Sequence, residues 1–205
     1  MAVHGIILAA GLSRRMESFK PLLKLKTKTM IEHSVDSMLD AGVNQVVVVL
    51  GHRADELEGL LRAHYDPYRL TFIRNRHYAQ SDMLTSVKIG ISALPICEAF
   101  YLLPGDMPAI HKSTFLAVKE AMAKTQAMVA FPTIGGQRKH PPLISWRCIN
   151  PILRFECEGG LREVWKQFEN QVATVPVEDC GCMLDADTKA DYNRLINYMT
   201  NSSLS

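Results

Sequence analysis

Short, almost wholly apolar runs alternate with segments of helical periodicity along nearly the whole chain. Val3 to Ala9 is the first such run, and Gln45 to Leu50, with four consecutive valines, is the second. A strand that is apolar at every position must be covered on both faces, which is the situation of a parallel sheet in an α/β fold. Met30, Ile31, Val35, Met38 and Leu39 recur at helical spacing up to Gly42, and Ala54 to Leu61 reads as a short helix. Leu70 to Ile73 is a weaker third strand. Met83, Val87, Ile91 and Leu94 share one helical face that Pro95 ends, and Ala99 to Leu103 is a fourth strand stopped by Pro104-Gly105. Ser113 to Lys124 is helical, Met128 to Pro132 a strand, and Ile152 to Glu169 helical in stretches around Gly159-Gly160. Val172 to Val177 is a late strand and Ala190 to Met199 a terminal helix. This alternation predicts an α/β fold with a mainly parallel sheet and, through right-handed crossovers, helices on both faces. No Pro/Ser-rich linker divides residues 3–199, so they are expected to form one domain, with polar residues 200–205 as a flexible tail.

Composition removes several classes of function. The net charge of +2 over 205 residues gives no reason to expect a nucleic-acid polymer or a membrane as partner. No window holds 18 uninterrupted apolar residues, and the N-terminus lacks the basic region and long apolar core of a signal peptide. A cytoplasmic location is the expectation. Five scattered cysteines suit a reducing compartment, and Cys180-Gly-Cys182, with no second pair to complete a metal site, reads as a turn leading into a strand. The seven histidines form no His-x-x-x-His pair, and no Gly-x-Ser-x-Gly elbow is present, so neither a catalytic zinc nor an α/β-hydrolase is expected.

In an open α/β sheet ligands sit beyond the carboxyl ends of the strands. After the first strand comes Leu8-Ala9-Ala10-Gly11-Leu12-Ser13-Arg14-Arg15-Met16-Glu17-Ser18-Phe19-Lys20. The small residues let backbone N–H groups approach a ligand, and three cations follow within seven residues. That combination suits a polyphosphate, and a solvated basic loop is the plain alternative. It is neither a dinucleotide fingerprint nor a P-loop. Asp106, on the Pro-Gly-Asp-Met-Pro turn after the fourth strand, is either a Mg²⁺ ligand or a cap. Thr188 and Asp191 have the spacing of a capping box before the last helix.

The first loop, read as Leu-Ala-Ala-Gly-x-Ser-x-Arg-Met followed by Lys20, resembles the signature of the nucleoside-triphosphate transferases. The closest resemblance is to the molybdenum cofactor cytidylyl- and guanylyltransferases, with motifs in family order over roughly residues 3 to 195. The resemblance implies a Rossmann-like three-layer sandwich of the nucleotide-diphospho-sugar transferase kind. It implies a nucleotide site at Leu8, Ala9, Ala10, Gly11, Ser13 and Gly105, with Arg15 and Lys20 on the phosphates as the catalytic cations. Glu17 stands where the family usually has Gly. Gly105-Asp106-Met107-Pro108 resembles the metal motif, and Asp185-Ala-Asp187-Thr-Lys-Ala-Asp191-Tyr192 the family's ending. Asp106 and Asp187 are therefore the expected Mg²⁺ carboxylates, with Asp185 a weaker choice for the second. Asn75 to Gly90 resembles the base-recognition segment, with Asp82 and Ser86 as nucleotide-binding residues. Ser81-Asp82-Met83 is a variant of the common Gly-Met-Ser-Ser-Ser form, and Asp82 also reads simply as a helix cap.

His140 in Lys139-His140-Pro141 matches a Gly-His-Pro element near the acceptor, where it either contacts the acceptor phosphate or braces the loop. Arg162 in Glu158-Gly-Gly-Leu-Arg162 is the other candidate for the acceptor, or else a solvated helix arginine. The implied reaction joins a nucleotide from a triphosphate to an acceptor phosphate and releases pyrophosphate. Leu-Ala-Ala-Gly and Gly-Asp-Met-Pro resemble the cytidylyl branch, which favours CTP over GTP. Molybdopterin is the implied acceptor and a molybdoenzyme the implied recipient of the product. The rivals are a transferase of the same fold using another phosphorylated acceptor, and a non-catalytic nucleotide- or cofactor-binding chaperone.

Overall fold

The computed structural model describes residues 2–13, 16 and 18–201. The long apolar runs form the strands of one mixed, mainly parallel sheet. They are β1 (Val3–Ala9), β4 (Val46–Leu50), β5 (Leu70–Arg74), β6 (Ala99–Pro104), β7 (Val129–Ile134) and β10 (Val172–Pro176). A two-stranded ribbon, β2 (Lys24–Leu25) with β3 (Lys28–Thr29), stands apart. Two short strands, β8 (Gln137–Arg138) and β9 (Leu143–Ser145), follow β7, so that among the described residues the main sheet has eight strands. Its order is β10-β7-β9-β6-β1-β4-β5, with β8 attached to β7. β9 runs antiparallel to both β6 and β7, and every other neighbour along that path is parallel.

Alternate residues of each doubly buried strand point into different layers. Val3, Ile7, Val46, Val48, Tyr101 and Leu103 meet α1 (Met30–Asp40), α2 (Ala54–His64) and α4 (Lys112–Thr125) on one face. Ile6, Val47, Val49, Phe100 and Leu102 meet α3 (Met83–Ser92), α5 (Ile149–Arg154) and α6 (Gly160–Lys166) on the other. The result is helix, sheet, helix: the α/β architecture expected from the pattern, and the three-layer sandwich that the resemblance implied. A third, smaller cluster joins Leu25 and Met30 to Ala186 and Leu195, the last on α7 (Lys189–Asn201).

Two helices differ from expectation. The buried face of α3 is Leu84, Val87 and Ile91, and Met83 is about half exposed. Met83 is the first residue after the Asp82 cap and lines the cavity described below instead of the core. The helix also stops at Ser92, before Pro95. α7 continues through Thr200, whose hydroxyl donates to the Ile196 carbonyl, so residues 200 and 201 belong to the helix and not to a tail. Residues 202–205 lie outside the described ones. Cys180-Gly-Cys182 sits in a short 3₁₀ turn rather than leading into a strand, and burial pushes the Cys182 thiol up to about 12.

Candidate active site

The register levels the carboxyl ends of the three central strands: Ile7 lies beside both Val48 and Leu103, and Ala9 beside Leu50. The strand order reverses at β1, because β4 lies on one side and β6 on the other. A crevice opens above such a switch point. Here it is a cavity of about 280 Å³. Its walls include Leu8, Ala9, Ala10, Gly11 and Ser13 from the first loop, Lys20, and Gly105 and Asp106 after β6. Asp82 and Ser86 of the α3 segment close the other side. The nucleotide-site candidates other than Arg15 thus surround one space. Arg15, like Arg14 and Glu17, lies outside the described residues.

Backbone contacts shape the floor. The Gly105 N–H donates to the Leu8 carbonyl at 2.9 Å. A Cβ on Gly105 would lie 3.2 Å from that oxygen and 3.2 Å from Ile31, so a side chain there would press the two loops apart by a few tenths of an ångström. Ser13 adopts φ +52° and accepts a hydrogen bond from the Lys20 N–H through its Oγ at 3.2 Å. The Ser13 hydroxyl therefore closes the loop onto Lys20.

Lys20 opens a 3₁₀ turn (Lys20–Leu22) and is buried. Its Nζ donates to Asp106 Oδ2 at 3.0 Å and to Asp187 Oδ1 at 2.6 Å. Burial alone would lower the Lys20 pKa, but its bonds to Asp187 and Asp106 outweigh that effect and hold it above its ordinary value. The ammonium is therefore a fixed positive charge. Asp185 does not touch Lys20; partial desolvation, and then the neighbouring charges of Asp187 and Asp106, raise its pKa. Of the two acids weighed as partner to Asp106, Asp187 is the one that converges with it. The capping box at Thr188 forms as read: the Thr188 N–H donates to Asp191 Oδ2 at 2.8 Å, and the Asp191 N–H donates back to Thr188 Oγ1 at 3.2 Å. Asp191, not Asp187, thus caps α7, and the entry to that helix is held by the Leu25–Ala186–Leu195 cluster and by the Tyr192 hydroxyl, which donates to the Lys24 carbonyl.

On the opposite wall, Asp82 both caps and lines. Its Oδ1 accepts from the Thr85 N–H at 2.9 Å and the Thr85 hydroxyl at 2.7 Å. The Thr85 hydroxyl bond is the largest cause of its lowered pKa, so Asp82 presents a carboxylate to the cavity rim. Asn75, almost fully buried, ties the segment together: its Nδ2 donates to Ser81 Oγ at 2.8 Å and Ser86 Oγ at 3.0 Å, and its Oδ1 accepts from the His77 N–H.

The two acceptor candidates stand outside the cavity walls. His140 is tied to the Leu102 backbone; burial lowers its pKa more than that bond and the Asp106 charge raise it, so its imidazole is neutral. Its Nδ1 is buried with no hydrogen-bond partner. Arg162 is exposed on α6. That helix begins at Gly160, where a Cβ would lie 3.3 Å from Asp82 Oδ2, so α6 adjoins the cavity while Arg162 is not among its walls.

Sequence reasoning passed over Gly51 and Tyr78. A Cβ on Gly51 would lie 2.5 Å from the Ala10 carbonyl and 2.7 Å from Tyr78 Cβ. Gly51 therefore lets the end of β4 press against the first loop. The signal was present, since Gly51 directly follows a buried strand, but glycine after a strand is common enough to carry no meaning alone.

The family model of the MobA-like NTP transferase domain matches residues 5–173. The chain belongs to this family of nucleotidyltransferases. Like its members, this MobA-like transferase pairs a nucleoside triphosphate with a phosphorylated acceptor. It is 28% identical over 191 residues to the molybdenum cofactor cytidylyltransferase of Escherichia coli (strain K12), covering 93% of this chain and 94% of that protein. Two solved structures share its fold. A nucleotidyl transferase from Methanothermobacter thermautotroptrophicus superposes with a TM-score of 0.83 at 21% identity, over 98% of each chain. The molybdopterin-guanine dinucleotide biosynthesis protein A of Archaeoglobus fulgidus gives 0.71 at 16% identity, over 97% of this chain and 99% of that one. Among the described residues, no helix is long and apolar enough to cross a membrane.

Proposed function

We propose that this MobA-like transferase is a Mg²⁺-dependent cytidylyltransferase of the cytoplasm that moves CMP from CTP onto the terminal phosphate of molybdopterin, for later delivery to a molybdoenzyme. The observation that carries the reading is the convergence of Lys20, Asp106 and Asp187 beside a backbone-lined cavity. The whole-length similarity to a cytidylyltransferase supports the choice of nucleotide and acceptor.

An oxygen of the acceptor phosphate attacks the α-phosphorus of CTP. The bond from that phosphorus to the bridging oxygen breaks, and pyrophosphate leaves with the electron pair. The acceptor phosphate is already an anion, so the attack needs no strong general base, and catalysis rests on alignment and charge neutralisation. The N–H groups of Ala9 to Gly11 receive the phosphates, with Arg15 and Lys20 neutralising charge on the leaving group. Asp82 and Ser86 border the nucleoside end, and His140 and Arg162 serve the acceptor side.

Asp106 and Asp187 fit a magnesium ion. Their oxygens already converge on one cation, the Lys20 ammonium, and Mg²⁺ takes one or two carboxylates with phosphate oxygens and water completing its shell. When bound there, the ion offsets negative charge on the α-phosphate and the pyrophosphate.

The test is pyrophosphate release by the purified protein with Mg²⁺, molybdopterin and each of four ribonucleoside triphosphates. Release with CTP alone is expected. Release only with GTP would replace the nucleotide, and release with CTP only when another phosphorylated acceptor is supplied would replace molybdopterin. CTP binding without release for any acceptor would replace the enzyme by a nucleotide-binding chaperone.

A further inference from the structure

We infer that Lys20 closes the metal position until a triphosphate draws it away, so that the divalent cation enters with the nucleotide and not before it. The inference rests on the reading of Asp106 and Asp187 as the metal carboxylates. Lys20 Nζ stands 3.0 Å from one and 2.6 Å from the other, so the ammonium occupies the point where their oxygens converge. The carboxylates come from positions 86 and 167 residues away in sequence, and without a cation between them they repel. Lys20 offsets that repulsion and ties the entry to α7 to the turn that follows the first loop. A divalent ion and the ammonium are like charges competing for the same oxygens, and they exclude each other at that distance.

The triphosphate supplies the alternative. Its site is the cavity that Lys20 itself helps to line, so phosphate oxygens come within reach of Nζ without a large movement of the chain. The Lys20 N–H is held by Ser13 Oγ, in the same loop that would receive the phosphates, and occupation of that loop acts directly on the turn carrying Lys20. Lys20 then leaves the carboxylates for the phosphates, and the point it held between the two acids opens to the cation that accompanies the nucleotide. One lysine thus serves as resting counter-ion and as phosphate ligand. The pair of acids cannot be saturated by free metal that brings no substrate.

The test is Mn²⁺ binding to the nucleotide-free protein, read from the electron paramagnetic resonance signal of the free ion. The wild type is expected to bind weakly. Lys20→Met, which removes the competing charge, is expected to bind Mn²⁺ at least about tenfold more tightly. Adding Asp106→Asn to Lys20→Met abolishes that gain. Equal or weaker Mn²⁺ binding by Lys20→Met than by wild type overturns the inference. If Lys20→Met fails to fold by circular dichroism, Lys20→Gln, neutral but still able to hydrogen-bond both acids, takes its place under the same criteria. A gain in Mn²⁺ affinity in a protein whose wild type releases no pyrophosphate would keep the lock and remove the proposed reaction. Pyrophosphate release by wild type with no gain in the variant would do the reverse.

Discussion

Gly51→Ala isolates the contact between β4 and the first loop. The added Cβ would stand 2.5 Å from the Ala10 carbonyl oxygen, 2.8 Å from Ala10 Cα and 2.7 Å from Tyr78 Cβ. Ordinary contact begins near 3.4 Å, so the Ala10 peptide must retreat by roughly 0.9 Å. The obstruction is backbone, with no flexible side-chain end to swing aside. Overpacking of this kind costs about 1–3 kcal/mol, and in a chain of this size that lowers the melting temperature by about 2–12 °C. The larger consequence falls on the cavity, because Ala10 is one of its walls. A displacement near 1 Å in a positioning element costs on the order of 10²-fold in rate. The assay is thermal melting beside kcat/KM for the nucleotide in pyrophosphate release. Gly59→Ala is the control: it sits inside α2 with nothing within 4 Å of the new Cβ, and should stabilise by about 0.8–1 kcal/mol with unchanged kinetics. Wild-type melting and wild-type kcat/KM for Gly51→Ala would refute the argument that this glycine sets the position of the first loop.

Lys20→Ala should lower turnover by about 10²–10³ in the same assay; unchanged turnover would remove Lys20 from the mechanism. Asn75→Ala leaves the Ser81 and Ser86 hydroxyls without their shared donor, and should raise KM for the nucleotide while costing about 1–3 kcal/mol by denaturant unfolding. Glu32 accepts from the Thr29 N–H at 2.7 Å and the Thr29 hydroxyl at 2.6 Å, and faces His64 Nδ1 at 2.7 Å. Burial pushes its pKa up, but these partners together hold it below its ordinary 4.5. Its stabilisation is therefore complete above pH 4.5 and is lost as pH falls through the lower folded-state value. Glu32→Gln should cost about 1.5–3 kcal/mol at pH 7, and the gap from wild type, measured by urea unfolding across pH, should close below pH 4.5.

The alternation of strand and helix was legible in the residues because burial on both faces leaves few polar positions in β1, β4 and β6. The loop that lines the cavity was legible for a related reason: Ala9, Ala10 and Gly11 end a strand, and the carboxyl ends of parallel strands are where such folds bind. β8 and β9 were not visible, since strands of two and three residues are too short to show a period. Met83 was placed on the buried face because helical spacing fixes which residues share a side, but not whether a given turn meets core or cavity.

Local sequence thus determined the layers, the first loop, and the cap at Thr188 and Asp191, each written within a few consecutive residues. Asp106 and Asp187 could be nominated from their motifs, but spacing along the chain says nothing of distance between them. The packing of Leu25 and Met30 against Ala186 and Leu195, with the Tyr192 hydroxyl on the Lys24 carbonyl, brings the last helix to the first loop. The crossing of β1 between β4 and β6 sets Asp106 opposite. That is why two carboxylates and one ammonium, far apart in sequence, meet at a single point, and why the meeting had to be seen in three dimensions.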